Sequence, residues 1–136
     1  GGQGLALLAG RINATVERAQ AVPALAEHAA TMSAALRHLR AATRAAWASG
    51  NPEEALANAT PYLQAFGHTV LAWVWLDVAL CAQARLAQQG ADADFLQGKL
   101  AACRYFIRYE LPKVAAWLRV VETCDDTCRN MEETWF

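Results

Sequence analysis

Apolar residues recur along this chain in blocks of three- and four-residue steps, separated by short polar breaks. Leu5, Leu8, Ile12, Val16 and Ala19 form the first block, with Arg11, Glu17 and Arg18 off the stripe. This is the pattern of an amphipathic helix from about Leu5 to Gln20. Ala21-Val22-Pro23 breaks it, and Pro23 suits the first position of a new helix, where a backbone N–H has no partner to lose. The second helix is predicted to reach about Ser49. Leu25, Met32, Leu36, Leu39 and Thr43 mark its apolar face, while Glu27, Arg37, Arg40 and Arg44 lie mostly off it. Gly50-Asn51-Pro52 then reads as a stop, a cap and a fresh start.

A short helical segment is predicted over Glu53 to Ala59, and Thr60-Pro61 repeats the cap-plus-proline signal. A long helix follows from Pro61 to about Gln89, with a kink or restart at its head. Gly90-Ala91-Asp92 ends it and caps the last helix, from about Ala93 to Val121. Its stripe is Leu96, Leu100, Cys103, Ile107, Leu111, Val114 and Leu118, with Arg104 and Arg108 at the edge. Pro112 lies inside and should bend it, because its ring removes one backbone hydrogen bond. There is no strand alternation and no internal repeat. The expected fold is all-α, an antiparallel up-and-down four-helix bundle with a proline-bent last helix. Residues 1–4 read as a linker, 5–121 as the bundle, and 122–136 as an acidic tail ending in Trp135-Phe136.

The third long helix is the anomaly. Its stretch "TVLAWVWLDVALCA", from Thr69 to Ala82, is too apolar for an ordinary surface helix. A membrane span needs about 20 apolar residues in sequence. Asp77 interrupts this run, and Gln64, His68, Gln83 and Arg85 flank it, so no span is expected. On a helical wheel Leu63, Phe66, Val70, Trp73, Val74, Leu80 and Cys81 share one broad face, the expected core face, with Asp77 in its middle. A buried carboxylate requires a cation. The expected structural ion pair is Asp77 with Arg104, or failing that with Arg108. The opposite arc carries Gln64, His68, Trp75, Ala79 and Ala82. Its Gln64, His68 and Trp75 form the candidate docking surface for something outside this chain.

Composition narrows the function classes. The formal net charge of -1 favours neither nucleic acid nor an anionic membrane surface. Five tryptophans among 136 residues are an interface-like excess. Cys81, Cys103, Cys124 and Cys128 sit in helical, alanine-rich surroundings and read as reduced thiols of a cytoplasmic protein. Cys124 and Cys128 alone do not complete a tetrahedral zinc site. His28, His38 and His68 are scattered, no Glu-x-x-His pair of a di-iron bundle occurs, and no glycine-rich phosphate loop is present. Arg37, Arg40, Arg44, His38 and Trp47 could hold an anion, but they read first as a solvated or partner-facing stripe. No catalytic, cofactor-binding or metal-ligating residue is assigned.

Three segments in order, "YLQAFGHTVLAWVWLDVAL" (Tyr62 to Leu80), "GKLAACRYFIRYELPKVAAWL" (Gly98 to Leu118) and the final "MEETWF", resemble the C-terminal helical domain carried by one branch of the acyl-CoA dehydrogenases. The glycine-rich opening likewise resembles the junction after the catalytic part of such enzymes. The resemblance implies a parent that uses FAD to oxidise acyl-CoA to trans-2-enoyl-CoA, with a glutamate base and the flavin site in preceding domains. No position here matches those residues, so no cofactor is expected in this chain. It also implies an accessory role, with the upstream catalytic domains and a neighbouring subunit as partners. The alternative is an independent binding module with a pocket lined by Phe66, Trp73, Tyr105 and Trp117.

Overall fold

The computed structural model describes residues 2–136. Six α-helices account for most of them: α1 (Gln3–Gln20), α2 (Ala26–Ala46), α3 (Pro52–Ala57), α4 (Ala59–Leu86), α5 (Ala93–Tyr105) and α6 (Lys113–Glu122). Among the described residues there is no strand. A 3₁₀ turn, Pro23–Leu25, leads into α2, and a π-helical turn, Phe106–Glu110, joins α5 towards α6. Together α5, the π turn and α6 form one limb, so the architecture is the expected antiparallel bundle of α1, α2, α4 and this limb. Both α1 and α2 pack on each other and on α4, and the limb lies against α2 and α4.

The breaks follow the local chemistry. Gly50 takes φ of 71°, the left-handed conformation that glycine enters without steric cost. Asn51 then caps α3, its side chain accepting from the Glu53 N–H at 3.0 Å, with Pro52 at the first helical position. Asp92 caps α5 in the same way, accepting from the Phe95 N–H at 3.1 Å. The cap expected at Thr60 is absent, because α4 already starts at Ala59. Asn58 precedes it and works elsewhere: its amide donates to the carbonyls of Val120 and Asp125, tying the end of α6 to the α3–α4 corner. Pro61 falls in the first turn of α4, where its missing N–H has no partner to lose.

Pro112 interrupts the last limb, and the backbone ahead of it forms a wider turn. The Leu111 N–H bonds the Phe106 carbonyl at 2.9 Å, five residues back instead of four. Proline cannot donate, and its ring crowds the carbonyl four residues earlier, so a π-helical turn ahead of it relieves the ladder.

The core is continuous. Ile12, Val16 and Ala19 of α1 belong to one buried cluster with Met32, Leu36 and Leu39 of α2. The limb contributes Cys103, Ile107, Leu111, Val114 and Leu118, all buried as their spacing implies. The central helix α4 meets the expectation only in part: Phe66, Trp73 and Leu80 pack against the core, but they are not its most buried residues. Its buried residues are Ala65, Thr69, Ala72, Leu76, Ala79 and Ala82, a stripe of mostly small side chains at three- and four-residue steps. Leu63, Val74 and Cys81, assigned to the core by the wheel, face outward. The reason is packing. A helix held on several sides brings its backbone close to its neighbours, and alanine allows that approach while the larger side chains opposite fill the space.

Candidate functional site: the outward face of the central helix

One turn after another, α4 presents apolar side chains to solvent. Leu63 is 65% exposed, Leu71 49% and Val74 46%, and Val70, Val78 and Cys81 continue the line. The spacing places them on one side of the helix, opposite the alanine seam. Gly67 interrupts the line, and a methyl group added there would meet no atom within 4 Å. By length and composition alone α4 is apolar enough to cross a membrane. In this fold its inner side is instead the wall against which α1, α2 and the limb close.

The expected docking trio divides. Gln64 is exposed beside Leu63, whereas Trp75 is partly buried against the core. His68 is enclosed by aromatics, with its ring 4.7 Å from that of Trp117 and 5.8 Å from that of Phe106. Its Nε2 lies 3.4 Å from a Glu110 carboxylate oxygen. The π turn delivers Glu110 to this point, where it also receives Lys113 at 2.7 Å and the Tyr105 hydroxyl at 3.4 Å. The Lys113 hydrogen bond, ahead of its charge and the bonds from His68 and Tyr105, holds the Glu110 carboxyl below the usual glutamate range. A carboxylate already shared among three donors is a clamp between α4 and the limb, poorly placed to act as a base.

Asp77 meets neither Arg104 nor Arg108. It pairs with Arg18 of α1, and both side chains stay about half exposed, 48% and 61%. The correction follows from the shifted face: with Ala79 and Leu76 turned inward, Asp77 sits at the rim, within reach of α1. Arg108 pairs instead with Glu27 at 3.5 Å.

The proposed pocket residues are not brought to one cavity. The Trp73 indole N–H donates to Thr15 Oγ1 at 2.8 Å, and Trp117 packs on His68. Tyr105 turns outward and stacks on Tyr109, while Phe66 leans on Tyr62. A cavity of about 620 Å³ lies elsewhere, between the start of α1 and the end of α2, lined by Leu5, Arg40, Thr43, Arg44 and Trp47 among others. Of the remaining basic stripe, His38 contacts Glu122 at 3.0 Å and Arg37 donates to Ser33 at 2.8 Å.

The thiols are all free. Cys103 is buried and its thiol is pushed up to about 11 by burial, so it stays protonated and unreactive near neutrality. Cys124 is partly buried and Cys128 exposed. Among the described residues no group of three or more His, Cys, Asp or Glu side chains is arranged to hold a metal.

Comparison with known proteins places this bundle. The family described as "Acetyl-CoA dehydrogenase C-terminal like" matches residues 8–132. Butyryl-CoA dehydrogenase from Syntrophomonas wolfei is 32% identical over 97 residues, which is 69% of this chain and 16% of that protein. The 3-methylmercaptopropionyl-CoA dehydrogenase of Ruegeria pomeroyi is 36% identical over 102 residues, 74% of this chain and again 16% of the relative. No solved structure matches. The chain therefore spans about one-sixth of the length of these relatives. With the family match running over nearly all of its helices, the chain belongs to the acetyl-CoA dehydrogenase C-terminal-like family.

Proposed function

We propose that this chain serves as the C-terminal accessory domain of an FAD-dependent acyl-CoA dehydrogenase of the cytoplasm, packing on the catalytic part of its own polypeptide or on a neighbouring subunit. The observation that carries this reading is the outward apolar line of α4. A helix this apolar gains little from facing water, and contiguous apolar surface is the mark of a surface that associates. The relatives supply the partner class, since both are named as acyl-CoA dehydrogenases and both extend far beyond the matched region.

On this reading the reaction, oxidation of an acyl-CoA to its trans-2-enoyl form, belongs to the rest of the parent. So does the flavin. The carboxylate at the contact of α4 with the limb, Glu110, is engaged as a clamp. The chain's own contribution is area, shape and rigidity.

The test uses the complete polypeptide. Replacing Leu71 and Val74 together with glutamate leaves the core untouched but places charge in the proposed interface. Sedimentation velocity and thermal unfolding should then report a smaller assembly or a lower melting temperature. An unchanged assembly with unchanged melting would sink the reading.

A further inference from the structure

Open aromatic surface gathers at one end of the bundle, where α1 begins, α2 and α6 end and the tail leaves the fold. Of the five tryptophans, Trp73, Trp75 and Trp117 pack against the core. The other two are open. Trp47, just after α2, is 50% exposed, and Trp135 of the tail is 63% exposed, with Phe136 beside it at 93%. Large rings gain by leaving water, and tryptophan left at a surface is a common mark of an interface.

Trp47 and the tail carry complementary chemistry. Trp47 is a wall of the cavity of about 620 Å³ between the start of α1 and the end of α2. Leu5 and Ala6 continue its apolar lining, and Arg40 and Arg44 stand at its edge. The volume falls within the roughly 300–1,000 Å³ of sites that enclose a compact organic group, enough for an indole and a phenyl ring together. Residues 130–136 of the tail, "NMEETWF", place two such rings directly after two carboxylates, with no cation among them. Glu132 and Glu133 make no ion pair within the chain, and Arg40 and Arg44 make none either. Apolar rings and negative charge therefore face an apolar cavity rimmed by positive charge.

The tail does not fill the cavity of its own chain. Its root is held beside α3 and α4: the Asn58 amide donates to the Asp125 carbonyl at 2.8 Å, and Arg129 lies 3.4 Å from Glu54. No tail residue lines the α1–α2 cavity. Beyond Arg129 the seven remaining residues can extend roughly 20 Å, enough to reach a facing molecule. We propose that Trp135 and Phe136 of one copy dock in the α1–α2 cavity of a second copy, the rings against Trp47 and Leu5, and Glu132 and Glu133 against Arg40 and Arg44. Tail and cavity lie at the same end of the bundle, so a two-fold pair makes the exchange twice, the self-complementary arrangement that closes a dimer. A small apolar ligand would fill the cavity and leave the tail's rings in water; a second copy satisfies both. This contact uses neither the outer face of α4 nor the identity of the parent enzyme.

The test replaces Phe136 with photoreactive benzoylphenylalanine in the complete polypeptide and reads the illuminated product on a denaturing gel. A covalent dimer should form, its joined peptide mapping beside Leu5 or Trp47 of the other chain. Arg40→Glu combined with Arg44→Glu should cut the dimer yield about tenfold, because like charges then face each other. Glu132→Lys combined with Glu133→Lys should do the same from the other side. All four side chains are exposed, so their reversal leaves the core intact. Co-expressing the two charge-reversed chains should restore the yield, since each tail then meets opposite charge only in the other chain. Trp47→Ala should lower it about tenfold by removing the aromatic wall. Crosslinks confined to the monomer, crosslinks mapping outside the cavity, or co-expression without recovery would overturn the proposal. Any of these would leave the α4 docking reading to its own variants at Leu71 and Val74.

Discussion

Two long helical elements of this bundle, α4 and the α5–α6 limb, are similar in length and both central to the core, yet they were legible to very different degrees. The limb's stripe of Leu96, Leu100, Cys103, Ile107, Leu111, Val114 and Leu118 turns inward as its spacing indicates, buried throughout except at Leu100, which is partly buried. In α4 the residues picked out as core include Leu63 and Val74, which are exposed, while Ala79 and Ala82, assigned to the outer arc, are buried. The limb carries Lys99, Arg104, Arg108 and Arg119 off its stripe, and charge fixes which side meets water. α4 is apolar nearly all round, so size was the remaining guide, and size pointed the wrong way. Where helices crowd, the inward residue is often the one that takes least room.

The comparison can be broken by mutation. Leu118→Ala on the limb removes a fully buried side chain and should cost about 2–5 kcal/mol, read from urea unfolding. Ala72→Leu tests the α4 seam from the other direction: enlarging a fully buried alanine should cost about 1–3 kcal/mol. Leu63→Ala, the same chemistry as at Leu118 but on the outward face, should change stability by less than about 0.5 kcal/mol. If Leu63→Ala cost as much as Leu118→Ala, the observed orientation of α4 would be wrong.

Two smaller effects sharpen the contrast. A buried pair at Asp77 would cost about 3–5 kcal/mol on losing one partner. The exposed Arg18–Asp77 contact predicts that Asp77→Asn costs at most about 1 kcal/mol. His28, on α2 against the limb, gives the chain a pH signature. Burial holds its folded pKa below the unfolded value of 6.5, so the unfolded state takes up the proton first. The associated stability is complete above that value and is lost as pH falls from 6.5 through the lowered folded pKa. Urea midpoints should therefore drop between pH 7.5 and 5.5, a slope that His28→Gln should flatten.

Much of the rest was readable for physical reasons. Asn51 and Asp92 announce helix starts because their short side chains reach a free N–H, and both do so. The break at Pro112 followed from the missing donor, while the π turn ahead of it was not anticipated. Asn58 escaped notice because its partners, Val120 and Asp125, lie more than sixty residues away and only the closed bundle brings them near.

Gly67 sets two demands against each other. In the middle of a helix a glycine sacrifices roughly 0.5–1 kcal/mol relative to alanine, and the open space around it shows that nothing inside this chain requires the sacrifice. Gly67→Ala should accordingly raise the melting temperature of the chain by itself. On the docking reading the same methyl group fills a notch between Leu63 and Val70, into which a neighbouring backbone could settle. A screen for stability in isolation would then choose alanine, and a screen for assembly would choose glycine.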